Sequence, residues 1–394
     1  MRFFEDSWKF YSFGDLFNVA NGINKEKESF GVGYPIVNYM DVNKHAFLKK
    51  DMIFGLVNST QTEQGTYSIL PNDLIVTRTS ETIDEIAYSS CLLEEIPHCV
   101  FSGFLLRARP LTNKTHTVFM VYELRSETYR KVLKKYSTET SRALINSENL
   151  KKVPLCIPSL ENQQKIASFL VLIDERIETQ SKIIEDLELY KNTIANQLIY
   201  NNPLLGKTIA LKEYATLKNG YAFKSDTYSE SGNYKVITIA NVTGDKYIST
   251  TNCNKIDDLP IEIQSHQILI VGDILISLTG NVGRVSIVNE ENCLLNQRVG
   301  VLFFKNTHLK KYLFQVLSNK LFETKMVQKG QGAAQKNIGN ADVESFLVPI
   351  SSNLEYVNKI TKLLDAIDKK IAVEKQILEK LKEQKKFLLS NMFI

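Results

Sequence analysis

Glu323-Thr-Lys325 and Glu383-Gln-Lys385 are the strings in this sequence nearest to a nuclease centre, in which a carboxylate holds a metal ion beside a lysine. Neither has a second acid at metal-binding spacing, and Lys385 falls in a helix seam described below. Methyl transfer to adenine would need an N-P-P-Y or D-P-P-F string. The nearest, Asn201-Asn202-Pro203-Leu204, reads as a turn that ends a helix. There is no F-x-G-x-G loop for S-adenosylmethionine and no G-x-x-x-x-G-K-[S/T] phosphate loop. The five cysteines stand singly and the five histidines share no metal spacing with Cys or Asp. The expectation is a chain without a catalytic or metal centre that binds no cofactor itself. A different chemistry stands out at 329–337. Lys329-Gly-Gln331-Gly-Ala-Ala-Gln335-Lys336-Asn337 is glycine-rich, polar and basic, which suits close approach to a phosphate backbone. A plain solvated loop would read the same way.

The elements that would position such loops form a repeat. YPIVNYMDV (34–42) and YKVITIANV (234–242) lie 200 residues apart, as do LPNDLIVTRT (70–79) and IVGDILISLT (270–279). FGDLFNVANG (13–22) parallels LKEYATLKNG (211–220) at 198, and LKKVPLCIP (150–158) parallels SFLVPISSN (345–353) at 195. Ordered matches at nearly constant offset indicate a duplicated unit. Each copy opens with short β-branched and aromatic runs between Gly, Asn and Asp turns, as in an α+β domain.

A long helix follows in each copy. A four-three spacing runs Ile166, Leu170, Ile173, Ile177, Gln180, Ile184, Leu187, Lys191, Ile194, Leu198, and again Ile360, Leu364, Ile367, Ile371, Glu374, Leu378, Leu381, Lys385, Leu388, Met392. Every step differs by 194, which describes a heptad seam for two mutually packed helices. Parallel pairing would oppose Lys191 to Lys385. Antiparallel pairing lets Lys191 face Glu374 and Gln180 face Lys385, so these four residues are expected to set register. The net charges agree, −3 over 161–199 and +3 over 353–394. Two amphipathic helices packed separately would need shorter seams. The expected fold is α+β: two homologous domains, 1–155 and 204–350, separated by helices at 156–203 and 351–394. The helices form an intramolecular antiparallel coiled coil with pseudo-two-fold symmetry. A helix of ~35–40 residues spans ~55 Å, against ~34 Å for a turn of B-DNA. Such a chain resembles a dimeric DNA reader with two unlike halves.

The bulk numbers permit this. The 394 residues carry a net charge of +4, with 43% hydrophobic and 23% charged residues. That composition suits a globular protein of two domains and allows nucleic-acid binding without demanding it. The first residues carry acids and no long apolar run, unlike a signal peptide. No stretch approaches the ~20 apolar residues of a membrane span, and a cytoplasmic setting is expected.

The same residues carry a family resemblance. LKNGYAFK (217–224), YKVITIANV, GDILISLTGNVG (272–283) and LNQRVGVL (295–302) resemble the target recognition domain of type I restriction-modification specificity subunits. So do Tyr34 to Val42, Asn72 to Thr79 and FSGFLLR (101–107). Pro158, followed by Q-x-x-I-A to Ala167 and then IDERI (173–177), resembles that family's central spacer helix. The final helix departs from this, with NLEYVNKI (353–360) in place of Q-x-x-I-A. The resemblance implies a non-catalytic subunit that reads double-stranded DNA, one half-site per domain. It also implies two modification subunits with S-adenosylmethionine and two restriction subunits with ATP and Mg as partners, and no membrane. The DNA-contact candidates are Thr77, Arg78, Thr79, Arg107 and Arg142 in the first copy. In the second they are Tyr221, Lys224, Asn281, Arg284, Gln297, Arg298, Lys329, Gln331, Gln335 and Lys336. Arg107 and Arg298 sit in strand-like runs and fit a salt-bridged scaffold as readily as a contact, and 272–283 fits a strand and tight turn.

Overall fold

A computed structural model describes residues 8–330 and 337–393. The apolar run Leu74–Thr77 becomes the central strand of a five-stranded sheet. Its order is Phe17–Asn21, Leu105–Pro110, Leu74–Thr77, Ser89–Leu92 and Phe47–Leu48, antiparallel except for the last pair. Side chains alternate across a strand, and here both faces are covered. Leu74 and Val76 join Phe13, Phe119 and Leu150 in one core. Ile75 joins Val37, Val42 and Phe101 in another, against a second small sheet built on Phe30–Val37.

The second copy repeats this plan. Its sheet runs Ala215–Asn219, Val299–Phe304, Ile274–Ser277, Val285–Ile287, with Ile274 and Ile276 on one core and Leu275 on the other. Turn chemistry repeats as well. The Asp73 carboxylate accepts the Leu70 N–H at 2.8 Å and the Asp273 carboxylate accepts the Ile270 N–H at 3.0 Å. The preceding Asn72 and Gly272 both have positive φ (69° and 97°), which asparagine and glycine tolerate best. Each copy is closed by an antiparallel ladder where the chain enters its helix, Lys9–Ser12 with Pro154–Ile157 and Lys207–Ala210 with Leu347–Ile350.

The long helices are Leu160–Ala195, continued by a π turn Asn196–Tyr200, and Leu354–Asn391. The chain divides into two units, one of residues up to 179 with 378 onward, the other of residues 180–377. In the first, Ile166, Leu170 and Ile173 enter the domain core together with Leu388, Met392 and Phe393. In the second, Ala195 and Ile199 do so with Val357, Ile360 and Leu364.

The polar seam residues pair in a register other than the expected one. Lys191 meets Asp368 at 2.6 Å rather than Glu374, and Lys385 meets Asp174 at 2.5 Å rather than Gln180. Gln180 donates instead to the Glu374 carboxylate (2.5 Å) and carbonyl (3.2 Å). The expectation considered only seam residues as partners. Asp174 and Asp368 each follow a seam isoleucine by one position, within reach of a lysine's four-carbon arm. Glu374 is neutralised by Lys370 one turn away, which with Gln180 holds its carboxyl below the usual range. The two lysine–aspartate contacts are the same contact 194 residues apart, and each aspartate takes a second partner from its own domain. Asp174 accepts the Tyr122 hydroxyl at 2.8 Å, and Asp368 accepts Gln315 Nε2 at 2.8 Å.

Two stability predictions follow from buried charge. The Asp368 side chain is only 5% exposed, so Lys191→Met should destabilise the second unit by about 3 kcal/mol by stranding a carboxylate. Lys191→Met with Asp368→Asn should recover most of the loss in chemical unfolding. Glu123 is fully buried, and burial pushes its carboxyl well above the ordinary range despite the facing Tyr129 hydroxyl. That hydroxyl already accepts the Cys156 N–H (2.7 Å), and Val316 occupies the matching helix position in the second copy. The folded chain resists ionising Glu123, whereas the unfolded chain ionises it above about pH 4.5. Stability is therefore lost as pH rises above the unfolded value. Glu123→Gln should remove that slope and exceed the native chain at pH 8 by about 1–3 kcal/mol, with little difference at pH 4.

Candidate nucleic-acid interface

In the second unit Gly220 lets two chain segments touch, since a Cβ there would overlap the carbonyl oxygens of Leu295 and Asn296. Tyr221 N–H donates to Leu295 O (2.8 Å) and Gln297 N–H to Tyr221 O (2.9 Å). This clamp holds Gln297 and Arg298 exposed just before the strand Val299–Phe304. Leu278 N–H then donates to Arg298 O (3.0 Å) and Ile338 N–H to Leu278 O (2.9 Å), which draws three segments to one sheet edge. A groove opens there, lined by Asn219, Thr279, Gln297, Arg298, Asn337 and Asn340 and by no carboxylate. Asn340 is fixed by donation to Leu217 O (3.0 Å), and the buried Thr279 hydroxyl has no partner among the described residues. Amides offer paired donors and acceptors and arginine a fork of donors, the groups that match base edges.

The expected contact residues of this unit divide. Gln297 and Arg298 line the groove. Lys224 and Asn281 are exposed on turns outside its lining. Tyr221 is half-buried, packs edge-on against Phe223 at 5.0 Å and bonds Glu262 at 3.4 Å. Arg284 faces elsewhere, in an ion pair with Glu323 at 3.7 Å. Lys329 is exposed but held by Asp342 O (2.9 Å) and Ser345 Oγ (2.7 Å). Gln331, Gln335 and Lys336 lie outside the described residues.

The first unit builds the same edge. A Cβ on Gly22 would overlap Ser102 O, Ile23 N–H donates to Phe101 O (2.8 Å), and Gly103 N–H donates to Ile23 O (2.8 Å). Arg78 N–H donates to Phe104 O (2.8 Å) and Ile145 N–H to Arg78 O (2.9 Å). Thr79 pairs with Leu144 at this edge, and Arg142 is exposed one residue before the paired Ala143. Arg78 is half-buried, its Nε without a partner among the described residues.

Two expectations are corrected here. Thr77 is fully buried, and its hydroxyl accepts the Tyr88 N–H at 2.8 Å, a turn contact that Ser277 makes with Arg284 N–H in the other unit. Arg107 is 7% exposed, donates to Ser68 O at 2.5 Å and lies 5.6 Å over the Phe101 ring. Burial lowers its pKa, and it braces the interior of the unit. Sequence reading placed Thr279 in the 272–283 segment and Asn337 in the 329–337 loop but missed Asn219 and Asn340, and the four become neighbours only through the fold. It also missed Phe104, 56% exposed, because a phenylalanine in an apolar run reads as core.

Other chemistry is not assembled. Among the described residues no cluster of three or more His, Cys, Asp or Glu could hold a metal ion, and no helix is long and apolar enough to cross a membrane. The cysteines are free, and burial pushes the Cys91 and Cys99 thiols up to about 12. Glu323 of the first Glu-x-Lys string is taken up by Arg284 and Lys320.

Comparison with known proteins gives a consistent answer. The family model described as "Type I restriction modification DNA specificity domain" matches twice, over residues 5–189 and 206–383. The putative type I restriction enzyme MjaX specificity subunit of Methanocaldococcus jannaschii is 25% identical, covering 98% of this chain and 92% of its own. The MjaVIII specificity subunit of the same organism is 23% identical over 74% of this chain and 72% of its own. Among solved structures, the type I restriction-modification S subunit from M. genitalium shares the fold at a TM-score of 0.61. It has 17% identity and covers 100% of this chain and 98% of its own. The chain belongs to the type I restriction-modification DNA specificity family, the non-catalytic subunits through which such systems recognise DNA.

Proposed function

We infer that this chain reads an asymmetric, bipartite DNA site, one half-site with each unit, and serves as the platform for modification and restriction subunits. The observation that carries the reading is one hydrogen-bonded sheet edge built twice but carrying different side chains, with a polar groove at it in the second unit. One frame gives both domains the same job, and unlike linings give them unlike half-sites. The two copies of one lysine–aspartate contact, 194 residues apart, support helices that run antiparallel as a coiled coil. That pair would be the spacer that fixes the unread gap. Exposed apolar side chains on the central helix (Phe169, Leu172, Leu189 and Tyr190) support a surface for partner subunits. A solved chain of the same fold, at 15% identity and a TM-score of 0.59, comes from work titled for complex assembly of the type I system. In this reading two modification subunits bring S-adenosylmethionine for adenine methylation, two restriction subunits bring ATP and Mg, and the assembly works in the cytoplasm.

Sequencing of methylated adenines, in cells with and without this chain beside its partners, tests the reading. One bipartite motif should vanish with the chain, and an unchanged methylome would favour a scaffold without DNA selectivity. Exchanging residues 1–150 for another such domain should change one half-site only. Adding one heptad to each helix should lengthen the gap and leave both half-sites intact.

A further inference from the structure

The two sheet edges offer one backbone position for direct comparison. The carbonyl that accepts Leu278 N–H belongs to Arg298, and the carbonyl that accepts Arg78 N–H belongs to Phe104. The next rungs agree, Ile338 to Leu278 matching Ile145 to Arg78, both at 2.9 Å. So do the rungs before, Gln297 to Tyr221 matching Gly103 to Ile23. Each residue directly precedes a matching strand, Val299–Phe304 or Leu105–Pro110. Arg298 and Phe104 are therefore one position of one fold, occupied by a guanidinium in one copy and a phenyl ring in the other.

Neither side chain serves its own fold. Phe104 is 56% exposed, so its ring adds little to a core. Arg298 is exposed at a groove with no carboxylate in its lining, whereas Arg107 and Arg109 in the first unit are held by Ser68 O and Asp73. Resting on the reading that each unit meets a half-site, we propose that this position determines specificity in both. Arg298 recognises a guanine by donating to its O6 and N7. Phe104 recognises a thymine by apolar contact with its 5-methyl group. The major groove presents these two features on different base pairs, so one exchanged side chain makes the half-sites chemically unlike. The amides of Gln297, Asn337 and Asn219 beside Arg298 extend polar readout in the second unit, whereas in the first Asn21 keeps the place of Asn219 and Gly103 that of Gln297.

The test is the methylation motif directed by the complete complex carrying Arg298→Ala, Arg298→Lys or Phe104→Ala, each beside the native chain. Both arginine variants should relax one G:C position in one half-site, with discrimination there falling roughly 10-fold or more. Lysine keeps the charge but not the planar fork, so its failure to restore guanine separates base reading from phosphate contact. Phe104→Ala should relax one T:A position in the other half-site and leave the first intact. A motif unchanged in every variant overturns the proposal, as does uniform weakening across all sequences. A native chain that directs no bipartite motif overturns the underlying function as well, and that arm distinguishes the two failures. Both residues are exposed, so melting temperatures should match the native chain. Retention of the motif by an Arg298→Lys protein would also refute the assignment.

Discussion

A carboxylate held by two partners, buried in one copy and half-buried in the other, joins helix to domain in each half of this molecule. Asp368 faces Lys191 across the helix pair and Gln315 on the domain, and Asp174 faces Lys385 and Tyr122 in the same way. An unpaired charge at such a place would be ruinous. Both partners must therefore be present at once, and the helix cannot slide along its partner without breaking its hold on the domain. Apolar layers alone tolerate slippage by a heptad, whereas this contact does not. The position of each groove relative to its own stretch of helix follows from it.

Much of this was legible in the chain. Strings offset by 200 residues became superimposable turns, down to the aspartate that caps each one, because turn chemistry is local and depends on few residues. The seam was legible because its period survives over ten steps. Its register was not, since the partners that matter, Asp174 and Asp368, lie one residue off the seam, and periodicity does not weigh off-seam reach.

The groove was half legible. Arg107 and Arg298 look alike as text, each a basic residue beside valines or leucines. One sits mid-strand with its side chain buried, and the other sits in the turn just before its strand. A shift of three residues across a strand's start decides between brace and contact. Asn219, Thr279 and Asn337 come from three segments that only tertiary hydrogen bonds unite, so no spacing rule finds them.

The burial of Leu388, Met392 and Phe393 in the first unit's core has a consequence in time. Ribosomes add roughly 5–20 residues per second, so the first unit waits about 10–40 s after residue 179 emerges before its last wedge arrives. Until then Phe119 and its neighbours present an unfilled notch while the second unit is already being made. A core built from residues on both sides of the second unit in the chain can therefore close only after that unit has been made.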